Sequence, residues 1–227
     1  MVGMDFSNLE KSIGYKFNDT TYVERALTHS SANQNSDKLD YERLEFLGDR
    51  VVNLIVADLL FLTFSDEREG ELAKRHTALV RTEMLAKISK ELSLGDFVIL
   101  SSAERRAGGA ENDNILADLT EAVTAAIYLD GGYRAAQDFI KNILGDRLID
   151  MKEPPRDAKT ALQEWTQAQG YGLPTYDLVE QSGPDHAPDF TVCLIVQDHH
   201  PINATSNSKK RAEKDAARLF LVQKGLL

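Results

Sequence analysis

Cysteine is almost absent: Cys193 is the single one among 227 residues. Disulfide frameworks and thiolate zinc centres within one chain are therefore excluded, and the composition suits a reducing compartment. Long apolar runs are missing as well. The most hydrophobic stretch, Val51 to Phe64, is interrupted by Asn53 and Asp58. It is too short and too polar at its centre to span a bilayer, and it reads as a buried helix of a soluble bundle. Met1 to Asp5 shows neither a basic n-region nor an apolar h-region, so no secretory signal is visible. These absences lead us to expect a cytoplasmic protein with no membrane contact. Positive charge is also in deficit, with 26 Lys and Arg against 36 Asp and Glu, a formal net charge of −10. Phosphate contacts come from Lys and Arg, so any grip on a polyanion has to be a local patch. Residues 157–227 contain one: four of their seven cations are Lys209, Lys210, Arg211 and Lys214.

What is present suits one or two globular domains, with 42% hydrophobic and 27% charged residues. Residues 5–150 carry helical periodicity almost throughout. The pattern predicts helices near 7–13, 19–28, 40–64, 69–92, 112–129 and 133–150, with no convincing strand. Ser93-Leu94-Gly95, Gly108-Gly109 and Asp130-Gly131-Gly132 supply turn chemistry between them. Residues 152–157, with Pro154-Pro155, form an exposed linker between a first domain at 1–151 and a second at 158–227. The second domain reads as an amphipathic helix over 158–169, three strands near 175–180, 190–197 and 201–205, and a helix over 208–224. On the last helix Ala212, Ala216, Leu219 and Phe220 are expected on the buried side.

The densest information lies in Glu42-Arg43-Leu44-Glu45-Phe46-Leu47-Gly48-Asp49. Glu42, Glu45 and Asp49 fall within an arc of roughly 60° on a helix. Leu44, Leu47, Val51 and Leu54 make an expected buried stripe beside them. Stacked anions repel, which calls for a cation. A second pair, Asp118 and Glu121, stands at i, i+3 on another predicted helix. Four oxygen donors without His or Cys suit a hard cation, Mg²⁺ or Mn²⁺, able to activate water at a phosphodiester. The alternative for any one such pair is a solvated helix face. A di-iron carboxylate bundle needs Glu-x-x-His, which does not occur.

Glu42 to Asp49 followed by Val51-Val52 strongly resembles the signature of the ribonuclease III family, endonucleases of double-stranded RNA. Ala26-Leu27-Thr28-His29-Ser30, Glu69-Gly70-Glu71-Leu72 and Ile115-Leu116-Ala117-Asp118 with Glu121 stand in the family's order and spacing. The resemblance implies an all-α endonuclease domain followed by a small α-β-β-β-α double-stranded RNA-binding domain. It implies Glu45, Asp49, Asp118 and Glu121 as metal-binding carboxylates, with Asp49 and Glu121 catalytic. It places Glu42, Glu69 and Phe46 at a homodimer seam and cutting groove, and makes Gly48 a point of close helix approach. His29 and His76 are read as structural. The implied chemistry is metal-activated attack of water. The products carry 5′-phosphate and 3′-hydroxyl ends with short 3′ overhangs, with ribosomal RNA precursors and some messenger RNAs as substrates and no small-molecule cofactor. The competing readings are a catalytically silent duplex-RNA binder and a purely structural helical dimer.

For the second domain the resemblance rests on Asp157-Ala158-Lys159-Thr160-Ala161-Leu162-Gln163-Glu164, Gly183-Pro184-Asp185-His186 and Ser208-Lys209-Lys210. It implies that Thr160, Gln163, Glu164 and Gln167 face one minor groove and His186 the next, while Lys209, Lys210 and Lys214 clamp phosphates. One departure stands out. The family has Gly-x-Gly before Ser-Lys-Lys, whereas this chain has Ala204-Thr205-Ser206-Asn207, where Asn207 is the residue best able to take a left-handed conformation. Asn114 replaces the family's more usual serine before Ile115.

Overall fold

Helix α3, Asp40–Thr63, and helix α7, Asp113–Leu144, pack against each other and form the axis of the first of two compact units, Met1–Pro155 and Arg156–Leu227. A computed structural model of the chain describes residues 5–32, 40–151, 157–184 and 188–226. The other helices of the first unit are α1 Ser7–Ile13, α2 Thr20–Leu27, α4 Glu69–Val80, α5 Thr82–Glu91 and α6 Ser102–Arg106. α7 is apolar on nearly every side: Leu116, Leu119, Ala122, Val123, Ala125, Ala126 and Ile127 are all buried. A helix that is hydrophobic all round belongs at a core's centre, and α2, α3 and α5 surround it. Its buried hydroxyls are satisfied within the helix, Thr120 donating to Leu116 O (3.1 Å) and Thr124 to Thr120 O (2.8 Å).

In the first unit three expectations are corrected. The single helix expected over 69–92 is two, because Arg81 takes an extended conformation (ψ 152°) between α4 and α5. The turn lets residues 69–80 lie on α3 while 82–91 lie on α7. The two helices expected over 112–129 and 133–150 are joined in α7, with only Gly132 non-helical (φ 76°, ψ −174°). The stripe on α3 is rotated: Leu44, Gly48, Val51, Val52, Ile55 and Leu59 are buried, while Leu54 is 60% exposed and Leu47 only half-buried. Leu54 sits roughly 80° from Leu44 around the helix, outside the arc that meets α7.

Two polar hubs tie distant segments of the first unit together. Asp130 accepts from Tyr15 Oη (2.6 Å) and from the backbone N–H groups of Asn18 (2.8 Å) and Asp19 (2.9 Å). Arg75, fully buried, donates to both Glu67 oxygens (2.5 and 2.7 Å) and to the Met151 carbonyl, and lies 3.8 Å over the Phe64 ring.

The second unit is α8 Ala158–Gln169, β1 Thr175–Ser182, β2 Asp189–Ile195, β3 Ile202–Ser206 and α9 Lys209–Gln223. The sheet is antiparallel in the order β1-β2-β3, with Tyr176 opposite Leu194, Val192 opposite Ala204 and a bulge between Leu178 and Glu180. Leu162, Leu194, Val196, Ala216, Ala217, Phe220 and Leu221 form its core. Leu219, expected to be buried, is exposed, and Ala217 takes its place. Asp157 caps α8 by accepting from Lys159 N and Thr160 N, and Ser208 caps α9 by accepting from Arg211 N.

Candidate metal centre

Glu45 leaves α3 one turn before Gly48, and Gly48 is where α3 meets α7. A methyl group at 48 would overlap the Glu121 carbonyl. This contact brings the acidic edges of the two helices together. One carboxylate oxygen each of Glu45, Asp118 and Glu121 lies within 4.8 Å of the others. Each residue is half-buried, so solvent screens the charges only in part.

The electrostatics follow from that geometry. Burial, then Asp118 and Glu45, pushes the Glu121 carboxyl up to about 7, with Arg50 acting in the opposite direction. Burial raises Glu45 too, helped by Asp118 and Glu42. Asp118 is raised by burial and drawn back by His29. Three carboxyls that resist ionisation together form a site that a divalent cation would relieve. The donor set is all oxygen, so the residues fit a hard cation such as Mg²⁺.

Asp49 stands apart from this cluster. Its carboxylate pairs with Arg50 and accepts from Asn53 Nδ2 (2.7 Å). Arg50 also lies over the Phe46 ring at 5.1 Å. Glu42 is exposed beside the cluster, and Glu69 is exposed in the first turn of α4. Phe46 is 64% exposed. It shares an arc of roughly 80° on α3 with Arg50, Leu54 and Phe61, and the last two are 60% and 69% exposed. His29 Nδ1 lies 2.9 Å from Ser31 Oγ, and His76 Nε2 lies 3.0 Å from the Asn53 carbonyl. Arg50, Asn53 and Tyr41 surround the carboxylates without having been singled out in the sequence. Only the position of Tyr41, one turn before Glu45, offered a signal.

In the second unit Thr160, Gln163, Glu164 and Gln167 form one exposed face of α8. Lys209 and Lys210 are exposed in the first turn of α9, with no ion pair among the described residues. Lys214 is placed differently: its Nζ lies 2.8 Å from Asp157. His186 lies outside the described residues. Asn207 does not adopt a left-handed conformation; among the described non-glycine residues only Ser93 and Asp198 have positive φ.

Among known families, residues 19–147 match the Ribonuclease-III-like family and residues 158–223 match the double-stranded RNA binding motif. The chain is 46% identical over 216 residues to Ribonuclease 3 of Ehrlichia ruminantium (strain Gardel), covering 95% of each protein. It is 45% identical over 220 residues to Ribonuclease 3 of Caulobacter vibrioides, covering 96% of this chain and 95% of that one. A solved structure of the nuclease domain of ribonuclease III from Campylobacter jejuni, described for flexibility in a region involved in dimer formation, matches with TM-score 0.60 and 38% identity. It covers 64% of this chain and 99% of that one. Among the described residues no helix is long and apolar enough to cross a membrane.

Proposed function

This chain belongs to the ribonuclease III family of endoribonucleases, and from that premise we propose that it is a Mg²⁺-dependent, homodimeric nuclease of double-stranded RNA. The observation that carries the metal dependence is the convergence of Glu45, Asp118 and Glu121 on one point between α3 and α7. These three hold the cation, and Asp49 joins them by exchanging its pair with Arg50. The bound cation supplies Lewis-acid charge at the phosphodiester and an acidified water. Glu121, the carboxyl raised furthest in the cluster, needs the cation most in order to ionise at neutral pH. Asp49 and Glu121 are the catalytic pair, and the products carry 5′-phosphate and 3′-hydroxyl ends with short 3′ overhangs.

The exposed stripe of Phe46, Leu54 and Phe61 supports a homodimer, since contiguous apolar surface on a helix marks an interface. Glu42 adjoins that seam, and we place Glu69 at the same groove. Two copies related by a twofold axis suit a duplex with its own twofold symmetry. The exposed α8 face reads the minor groove while Lys209 and Lys210 take phosphates at the N-terminus of α9. We place the protein in the cytoplasm, maturing ribosomal RNA precursors and some messenger RNAs.

The test is a long RNA duplex incubated with and without Mg²⁺, beside a DNA duplex of the same sequence. The expected result is cleavage of RNA only, and only with metal. Binding of the RNA duplex without cleavage under any metal would identify a silent binder instead.

A further inference from the structure

Tyr41 lies one turn before Glu45 on α3 and is 4% exposed. Its ring is held edge-on by His29, with centroids 5.1 Å apart. His29 is fixed in turn by Ser31, whose backbone N–H lies 3.1 Å and whose Oγ lies 2.9 Å from the His29 Nδ1. The Tyr41 hydroxyl is enclosed by this packing, yet it has no hydrogen-bond partner among the described residues. Buried hydroxyls are seldom left unpaired, because desolvation without a partner is costly. The charges that act on this hydroxyl belong to Asp118, Glu45 and Glu121, the members of the carboxylate cluster. Burial and those three anions keep the phenol protonated, so it is a donor awaiting an acceptor.

Resting on the metal-centre reading above, we propose that Tyr41 is a positioning residue of that centre, its hydroxyl donating a hydrogen bond to an oxygen of the cation-loaded site. In the metal-free protein the hydroxyl only fills space. In the loaded protein it orients the oxygen it meets, as groups just outside a metal's ligands do elsewhere.

The test uses the full chain, wild type and Tyr41→Phe, with Mn²⁺ as probe in calorimetry and with thermal melts in EDTA. Phenylalanine keeps the ring packing against His29. We expect the variant to melt in EDTA at or above the wild-type temperature and to bind Mn²⁺ about 10-fold more weakly. Equal Mn²⁺ affinity in both proteins would overturn the role of Tyr41 while leaving the metal centre standing. A variant melting well below wild type in EDTA would overturn it too, by showing that the hydroxyl is already satisfied without metal. Absence of Mn²⁺ binding by the wild type would remove the metal-centre reading and this inference together.

Discussion

At Gly48 a single methyl group would meet the Glu121 carbonyl across the α3–α7 contact. Backbone cannot move aside as a side-chain tip can, so the helices must part. Gly48→Ala is expected to cost about 1–3 kcal/mol in denaturant unfolding and to weaken Mn²⁺ binding by separating Glu45 from Glu121. Gly70→Ala is the control: Gly70 lies in α4 with nothing within 4 Å of an added methyl. It should be neutral, or stabilising by up to about 1 kcal/mol. Equal effects of the two substitutions would contradict the close-approach argument. The lysines of α9 allow a similar comparison. Lys209→Ala and Lys210→Ala should each weaken duplex-RNA binding and lower the salt slope by about 1. Lys214→Ala should change it less, because Lys214 is engaged by Asp157. Binding titrations at several salt concentrations would decide this.

Asp130 joins elements far apart in sequence, holding the chain before α2 to the kink in α7. Burial alone would raise its carboxyl. Hydrogen bonds from Tyr15, Asn18 and Asp19 outweigh that and hold it below the ordinary carboxylate range. A lowered folded-state value favours the fold above the unfolded pKa of about 3.9, and this contribution is lost as pH falls through the lower value. Asp130→Asn should therefore lower the melting temperature at neutral pH, and the gap to wild type should narrow below about pH 4. A gap that widens in acid would contradict the assignment.

Most helix positions were legible because apolar periodicity and turn residues agree over Ser7–Ile13, Thr20–Leu27 and Asp40–Thr63. The break at Arg81 was not, since no proline or glycine marks it and the cause is tertiary: α4 and α5 pack on different helices. The burial of Leu54 was misjudged for a related reason. Spacing shows that a helix has an apolar face, but only its partner helix selects which residues lie within it. The carboxylate pairs were legible as spacings, whereas the hold of Arg50 and Asn53 on Asp49 depends on rotamers that no spacing encodes.

For the whole molecule, the net charge of −10 is unevenly placed: carboxylates converge between α3 and α7, where a divalent cation would offset them, and exposed lysines stand where α9 begins. The exposed stripe on α3 is the surface that the proposed homodimer would bury. Leu54→Glu should shift sedimentation toward a monomer without changing the helical signal. A variant that remained dimeric would place the interface elsewhere. Glu121, half-buried among carboxylates between two helices, is expected to be required for cutting and not for gripping RNA. The most direct measurement pairs cleavage of a long RNA duplex with binding of the same duplex, for wild type and Glu121→Gln, with and without Mg²⁺. The account predicts cleavage by the wild type with metal alone, and a variant that binds as tightly but does not cut. Equal cleavage by both proteins would contradict it.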